Sequence, residues 1–274
     1  MERVVVMTGA TGGIGKVVLR ELLDKGYTIY AACRGAGRLQ EFAEHVPTRL
    51  HPVELDLESL ASAIRFCNEI EKSLSGRPIE IIINNAGMIA PRLERSIDGY
   101  ERSLQVNYIA PKVITERLCS LLAPRGKVIN TLSCTIKKGR FVTVQRAVAG
   151  KPVKESTLMS LKHYSDAKYM MALYTINFAL EHKEITVCGA DPGIVNTGII
   201  TMHRWYDPLA NILFRPFIKS PAQGALPILN AVEYIPKGDN GGKALLFKGR
   251  KTELFGKRFY AKAEEEKTAF RYNL

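Results

Sequence analysis

A glycine-rich turn between a buried strand and a helix constrains this chain of 274 residues more than any other feature. The residues from Val4 to Met7 form a continuous apolar run, which is typical of a parallel strand buried on both faces. The turn from Gly9 to Gly15 follows at once, and apolar residues then recur at helical spacing until Gly26. The start of the chain therefore predicts a strand, a tight turn and a helix in direct succession.

A turn of this kind can hold the pyrophosphate of a dinucleotide. Glycines let the backbone approach the phosphates closely, and the following helix offers free N–H groups and a partial positive charge. The glycines are spaced as Gly9-x-x-x-Gly13-x-Gly15 rather than as G-x-G-x-x-G, with Thr11 and Ile14 between them. An ordinary glycine-rich turn between strand and helix is the alternative interpretation.

The end of the second predicted strand indicates which dinucleotide would bind. NAD sites usually place a carboxylate there, about 20 residues after the glycines, to bind the ribose 2′-OH. This chain instead has Cys33-Arg34 at that place, with Arg38 four residues later and no carboxylate. A guanidinium suits the 2′-phosphate of NADP, so the sequence favours NADP(H) as the cofactor. The alternative is that Arg34 is simply exposed to solvent.

Strands and helices alternate along the rest of the chain. Further strands are predicted at 27–32, 50–55, 79–83, 126–132, 185–190 and 243–247, and further helices at 58–74, 97–122, 163–182 and 221–232. This alternation predicts an α/β fold: a Rossmann-type, doubly wound, mostly seven-stranded parallel sheet with helices on both faces. Because the sequence shows no linker and no internal repeat, we expect residues 1–274 to form a single domain.

The composition narrows the class of protein and its partners. Five cysteines without a C-x-x-C pair predict reduced thiols and no metal site. No apolar run approaches the ~18 residues of a membrane span, and only three residues precede the first strand, so we expect a cytoplasmic protein without a transmembrane segment. The net charge of +12 is spread along the chain without a nucleic-acid-binding motif. We therefore expect no nucleic-acid partner.

A tyrosine and a lysine stand four residues apart in the predicted helix at 163–182. Tyr164 and Lys168 would lie one turn apart on one face of that helix. A phenol ionises near pH ~10, and a neighbouring ammonium lowers that pKa by stabilising the phenolate. In a buried site the pair could therefore act as a general acid/base. The spacing alone is equally compatible with an exposed pair on a surface helix.

Several separate motifs follow one another along the chain. They are Thr8-Gly9-x-x-x-Gly13-Ile14-Gly15, Asp56-Leu57, Asn84-Asn85-Ala86-Gly87, Asn107, Ser133, Tyr164-x-x-x-Lys168, and Pro192-Gly193 with Thr197. In this order they resemble the short-chain dehydrogenase/reductase family over nearly the whole chain. Softer matches at Cys33-Arg34, Tyr164-Ser165, Phe214–Phe217 and Ser220-Pro221 look like the retinol-dehydrogenase-like branch, which prefers NADP.

The resemblance implies hydride transfer between NADP(H) and a small-molecule carbonyl or alcohol substrate. Tyr164 would exchange a proton with the substrate oxygen, and Lys168 would hold the nicotinamide ribose. Ser133 would bind the substrate oxygen, and Asn107 would anchor a water in the proton relay. The implied cofactor-binding residues are Gly9, Thr11, Gly13, Ile14, Gly15, Arg34, Arg38, Asp56, Leu57, Asn85, Ala86, Gly87, Tyr164, Lys168, Pro192, Gly193 and Thr197.

Two interpretations stay open beside these roles. Asn84 is as well explained by a structural role that ties adjacent strands. The whole protein could also be a catalytically silent NADP(H)-binding sensor or scaffold on the same fold. Sensors commonly lose the catalytic Tyr, Lys or Ser, and this chain has all three, so the sequence favours an enzyme.

Two segments near the implied site depart from simple members of the family. Ser133 and Tyr164 are 31 positions apart, and the basic insertion at about 137–155 is either a lid for an anionic substrate or a solvated loop. Its cations are Lys137, Lys138, Arg140, Arg146, Lys151 and Lys154. The segment at about 193–220 would be the substrate-binding loop, and its apolar content indicates a lipophilic ligand.

Alternatively, the apolar residues of that segment pack on the core or on another subunit, which leaves a homo-oligomer open. The charged tail from Gly256 to Leu274 has apolar residues at near-helical spacing. The sequence does not distinguish docking of this tail on the body from docking on a neighbour.

Overall fold

The computed structural model of the chain describes residues 2–35, 39, 46, 48–142, 157–195, 219–236 and 241–269. Within these residues, eight strands form one sheet. In chain order they are β1 (Val4–Thr8), β2 (Thr28–Cys33), β3 (Leu50–Glu54), β4 (Ile79–Asn84), β5 (Leu122–Thr131), β6 (Thr186–Asp191), β7 (Leu245–Lys248) and β8 (Lys251–Leu254). Their order across the sheet is β3-β2-β1-β4-β5-β6-β7-β8, and only β8 runs antiparallel to its neighbour.

Helices cover both faces of this sheet. They are α1 (Gly13–Asp24), α2 (Leu60–Leu74), α3 (Arg102–Leu104), α4 (Ala110–Leu118), α5 (Thr157–Glu181), α6 (Pro221–Glu233) and α7 (Lys257–Ala269). A π-helical turn at Gln105–Ile109 joins α3 to α4, and 3₁₀ turns lie at Cys119–Leu121 and Cys134–Lys137. In the described part of the chain, no helix has the length and apolar character needed to cross a bilayer.

The side chains of β1 show why its sequence is apolar without alternation. Val4 and Val6 belong to the core cluster that includes residues of α2, α4 and α5, whereas Val5 and Met7 belong to the cluster that includes residues of α1 and α6. A strand whose two faces are both covered favours apolar side chains at successive positions, and the polar Thr8 comes only at its end. The prediction of an α/β fold with a parallel sheet covered on both faces is therefore confirmed.

The structure differs from the prediction at several places, one of which is the helix predicted at 163–182, since α5 starts at Thr157. The eighth strand, β8, was not predicted, because all four of its residues are exposed and it carries no apolar run. The single helix predicted at 97–122 is divided into α3, the π-helical turn, α4 and a 3₁₀ turn. The predicted strand at 126–132 starts earlier, at Leu122, where the register between β4 and β5 shifts and Arg125 adopts a φ of 63°.

The C-terminal helix α7 docks on the body of the same chain. Phe259 and Ala263 are buried in the core, and the ring of Phe259 lies 5.4 Å from that of Tyr169 on α5. Glu266 is only 1% exposed. Its carboxylate accepts hydrogen bonds from three buried side chains: Lys112 Nζ at 2.7 Å, Tyr108 OH at 2.5 Å and Asn177 Nδ2 at 2.7 Å. The alternative left open by the sequence is thus resolved, since this helix packs on its own domain.

Candidate active site

The glycine-rich turn lies at the carboxyl ends of the parallel strands, where side chains would not fit. Gly9 has a φ of 71°, which favours glycine, and a Cβ at this position would lie 2.7 Å from the backbone of Ala86. A Cβ on Gly15 would lie 1.9 Å from the carbonyl oxygen of Gly9. The turn is therefore folded tightly on itself and against the segment that follows β4.

The same turn presents the N-terminus of α1. Gly12 is the N-cap and has no side chain to accept from the first N–H groups of the helix. Gly12 and Gly13 are exposed, while Thr11 and Ile14 are partly exposed beside them. An uncapped helix N-terminus lined by glycine backbone fits a pyrophosphate, because it offers N–H donors and the positive end of the helix dipole.

Thr8 holds the segment Asn85–Gly87 against this turn. Its Oγ1 accepts from the backbone N–H groups of Asn85 and Ala86, both at 3.1 Å. The side-chain nitrogen of Asn85 donates to the carbonyl of Gly9 at 3.1 Å. The two predicted nucleotide-binding segments are therefore joined directly. The sequence does not predict this role of Thr8, because a threonine at the end of a strand carries no signal of it.

Asn84 points away from this surface. Its side-chain Nδ2 donates to Thr115 Oγ1 on α4 and to Asn130 Oδ1 on β5, both at 2.8 Å. These bonds support the structural interpretation, in which Asn84 ties its strand to the neighbouring strand and to a helix.

Three predicted catalytic side chains meet at the end of β5. Ser133 is buried just after this strand, and its side chain forms a hydrogen bond with that of Tyr164 on α5. Lys168 is 3% exposed, and its Nζ donates to the carbonyl of Thr131 at 2.8 Å. The strand end thus holds Ser133 directly and fixes Lys168 through a backbone carbonyl.

Asn107 completes this group from the π-helical turn. Its Nδ2 donates to the carbonyls of Met88 and Ser103, both at 2.7 Å, and its Oδ1 accepts from Met88 N–H at 3.2 Å. A Cβ on Gly87 would lie 2.8 Å from Asn107 Oδ1 and 3.5 Å from Lys168 Nζ. Asn107 and Lys168 are therefore neighbours across Gly87, as a shared proton relay requires. Such π-helical turns are frequent at functional sites.

The two titratable groups of the site are both shifted towards their neutral forms. Burial raises the pKa of Tyr164 to about 12, and the hydrogen bond with Ser133 acts in the opposite direction. Burial lowers the pKa of Lys168 to about 7. Lys168 Nζ lies 5.8 Å from the centre of the Tyr164 ring. For both groups burial is the largest cause of the shift, and the effect of Lys168 on the phenol pKa stays a prediction.

The Lys168 shift predicts how the stability of the cofactor-free protein depends on pH. Between pH 7 and 10.5 the unfolded lysine binds a proton that the folded lysine has released. The free energy of unfolding of the native protein, relative to Lys168→Met, should therefore rise by about 1.4 kcal/mol per pH unit over this window. Denaturant titrations of both proteins at several pH values measure this difference. A constant difference would mean that the folded lysine stays charged.

The other predicted residues lie around the edge of the site. Arg34 and Asp56 are exposed after β2 and β3, and Leu57 is buried. Pro192 is buried, and Gly193, with a φ of 74°, donates from its N–H to Asp191 Oδ1 at 2.9 Å. Asp191 was not predicted.

Several of the residues and segments predicted from the sequence lie outside the described residues. They are Arg38, Thr197, and residues 143–155 and 196–218 of the basic insertion and of the substrate-binding segment. In the part of the chain that is described, no group of three or more His, Cys, Asp or Glu side chains could hold a metal ion.

Comparison with known proteins identifies the family. Residues 3–204 match the family described as short chain dehydrogenase. The chain is 29% identical over 232 residues to the WW domain-containing oxidoreductase of Drosophila melanogaster. The alignment covers 81% of this chain but only 56% of that protein. It is 31% identical over 238 residues to retinol dehydrogenase 12 of Mus musculus, and this alignment covers 81% of this chain and 71% of that protein.

Solved structures share the fold. The NADPH-bound carbonyl reductase from chicken fatty liver has a TM-score of 0.67 and 20% sequence identity, over 93% of this chain and 99% of that one. At this identity the likeness shows the fold alone. The family match covers most of the chain and includes the glycine-rich turn, Ser133, Tyr164 and Lys168. This chain therefore belongs to the short chain dehydrogenase family of oxidoreductases, in its retinol-dehydrogenase-like branch.

Proposed function

We propose that this protein is an NADP(H)-dependent oxidoreductase that transfers a hydride between its cofactor and a lipophilic carbonyl or alcohol. One observation carries the proposal: Ser133, Tyr164 and Lys168 lie together at the end of β5, with Asn107 next to Lys168 across Gly87. These side chains come from three separate parts of the chain. A sensor or scaffold would not need them to meet beside the nucleotide-binding turn.

The geometry supports a division of labour in carbonyl reduction. When bound, NADPH supplies the hydride for the substrate carbon. The hydroxyl of Ser133 holds the substrate oxygen beside the phenol of Tyr164, which donates the proton. Burial keeps the phenol of Tyr164 protonated at neutral pH, which is the form that donates a proton, and it also makes the phenol a weaker acid. Lys168 would bind the nicotinamide ribose. Asn107 would anchor a water through which Tyr164 regains its proton from solvent.

The substrate class rests on the relatives and on the sequence. The similar retinol dehydrogenase 12 is named for a lipophilic alcohol, and the similar structure from chicken is named as a carbonyl reductase. The segment at 193–220 contributes apolar residues such as Trp205, Leu213 and Phe214. We therefore propose an apolar aldehyde or ketone, or the corresponding alcohol, as the substrate.

An NADPH-consumption screen tests the proposed function. The carbonyl panel should include short and long aldehydes, ketosteroids, quinones and retinal, with NADH in parallel for each. We expect turnover of at least one apolar carbonyl with NADPH. If NADPH binds but none of these compounds is turned over, the silent sensor becomes the better interpretation.

The preference for NADP(H) should depend on Arg34. Arg34→Ala is expected to weaken NADPH binding by about 10- to 100-fold, the range of a lost charge-assisted hydrogen bond, and to leave NADH binding nearly unchanged. The exposed Arg65 on α2 offers a matched control, and Arg65→Ala should affect neither cofactor. Fluorescence titration of both reduced cofactors measures the effect. Equal losses for NADPH and NADH would show that Arg34 does not read the 2′-phosphate.

A further inference from the structure

Lys219 lies directly before α6, and its position in the fold is fixed from two sides. Its backbone pairs with Val195, and its N–H donates to the carbonyl of Ile194 at 2.8 Å. The side chain extends to the turn after β6, where Nζ donates to the carbonyl of Pro192 at 3.2 Å. A Cβ on Gly193 would lie 2.9 Å from this Nζ. The ammonium group is therefore held against Pro192-Gly193.

Two groups act on the positive charge of Lys219. Ser220 is the N-cap of α6 and forms a capping box with Gln223, so Lys219 stands at the positive end of that helix dipole. The carboxylate of Asp191, at the end of β6, lies close enough to attract this charge. The nearby Asp191 is buried and already accepts from Gly193 N–H. Because Asp191 is already engaged in this way, an anionic ligand would add further stabilisation to the Lys219 ammonium.

The start of α6 also lies beside the glycine-rich turn. A Cβ on Gly224, in the first turns of α6, would lie 3.2 Å from Cδ1 of Ile14 and 2.7 Å from Cγ2 of Val195. Both α1 and α6 begin at the carboxyl edge of the sheet and pack against each other. The N-termini of both helices therefore lie near one another, and Lys219 directly precedes one of them.

We propose that Lys219 is a further cofactor-binding residue, whose ammonium binds the diphosphate of the dinucleotide. The diphosphate is the anion that NADH and NADPH share, and it is the part of the cofactor expected at the N-terminus of α1. This inference rests on the proposed function, because it assumes that a dinucleotide binds at the glycine-rich turn. Lys219 would then bind the diphosphate of NADPH, and Arg34 would bind its 2′-phosphate.

The alternative role for Lys219 is purely structural, as the donor that holds the Pro192 carbonyl. Two substitutions separate the roles. Lys219→Gln keeps a hydrogen-bond donor without the charge, and Lys219→Arg keeps the charge with a different shape. Lys25→Gln serves as the matched control, because Lys25 follows the other end of α1 and forms an ion pair with Glu233.

The test measures dissociation constants for NADH, NADPH and adenosine 2′-phosphate, with fluorescence titration for the reduced cofactors and calorimetry for the mononucleotide. We expect Lys219→Gln to weaken NADH and NADPH by the same factor, about 10-fold or more, as for a lost charge-assisted hydrogen bond. Adenosine 2′-phosphate, which lacks the diphosphate, should bind as before. Lys219→Arg should stay close to the native protein, and Lys25→Gln should change nothing.

Three results would overturn the inference. Unchanged NADH and NADPH binding by Lys219→Gln would exclude a contact with the diphosphate. A loss confined to NADPH and adenosine 2′-phosphate would place Lys219 at the 2′-phosphate instead. Equal losses in Lys219→Gln and Lys219→Arg, together with a lowered Tm for both, would show a structural role. If the native protein binds neither dinucleotide, the proposed function fails and this inference fails with it.

Discussion

Replacing Tyr164 with phenylalanine is expected to abolish turnover while NADPH binding stays nearly intact. The substitution removes only the hydroxyl that forms a hydrogen bond with Ser133 and leaves the ring packed on α5. Loss of a positioned general acid costs about 10²- to 10⁴-fold in rate, whereas a single uncharged hydroxyl contributes little to the binding of a large charged dinucleotide. The kcat for the best carbonyl of the screen and the Kd for NADPH measure the two effects separately.

Tyr169 provides the matched control for this substitution. It lies on the same helix five residues later, is equally aromatic, and packs on Phe259 of the C-terminal helix rather than on Ser133. Tyr169→Phe should therefore keep kcat close to the native value. Substantial residual turnover in Tyr164→Phe would refute the proton-donor role, and weakened NADPH binding would mean that the hydroxyl also positions the cofactor.

The largest effect on stability is expected from removal of the Glu266 carboxylate. Glu266→Leu leaves the ammonium of Lys112, which is 5% exposed, without its partner at 2.7 Å. Tyr108 and Asn177 lose an acceptor at the same time. Breaking a buried ion pair by removing one partner costs about 3–5 kcal/mol. Urea titrations of the native protein and the variant give this difference in the free energy of unfolding.

Two further variants identify the cause of the loss. Glu264→Leu replaces a glutamate on the same helix whose side chain is 75% exposed, and it should change stability by less than about 0.5 kcal/mol. The double substitution Lys112→Met/Glu266→Leu removes both charges and should recover most of the loss, because apolar side chains can replace a buried pair at little cost. A double variant as unstable as Glu266→Leu alone would point to lost packing instead.

The sequence predicts best those parts of the structure that depend only on residues close together in the chain. The apolar run Val4 to Met7 predicts a strand covered on both faces, and the glycines that follow predict a turn without room for side chains. The catalytic residues could also be predicted from their motifs, because serine, tyrosine and lysine each have few possible roles in such a site. The structure brings Ser133, Tyr164 and Lys168 together as the resemblance implies.

The features that the sequence does not predict depend on distant partners. The four exposed residues of β8 form a strand only because the edge of β7 is available for pairing. From the sequence alone, Glu266 would be interpreted as an exposed charge on a solvated helix. Its partner Lys112 is 154 residues away in the chain, so the sequence gives no sign of the buried pair. The raised pKa of Tyr164 follows from how much water the folded core excludes, and the spacing to Lys168 says nothing about that.

The docking of α7 also has a consequence for the order in which the chain folds. Tyr108 is the immediate neighbour of Asn107 in the π-helical turn, and its hydroxyl is held by Glu266 at the far end of the chain. During synthesis, the surroundings of Asn107 can therefore be completed only after residue 266 has left the ribosome. Until then, the Lys112 ammonium and the apolar face that receives Phe259 lack their cover. The contacts of Glu266 with Tyr108 and Lys112 therefore belong to a late stage of folding during synthesis.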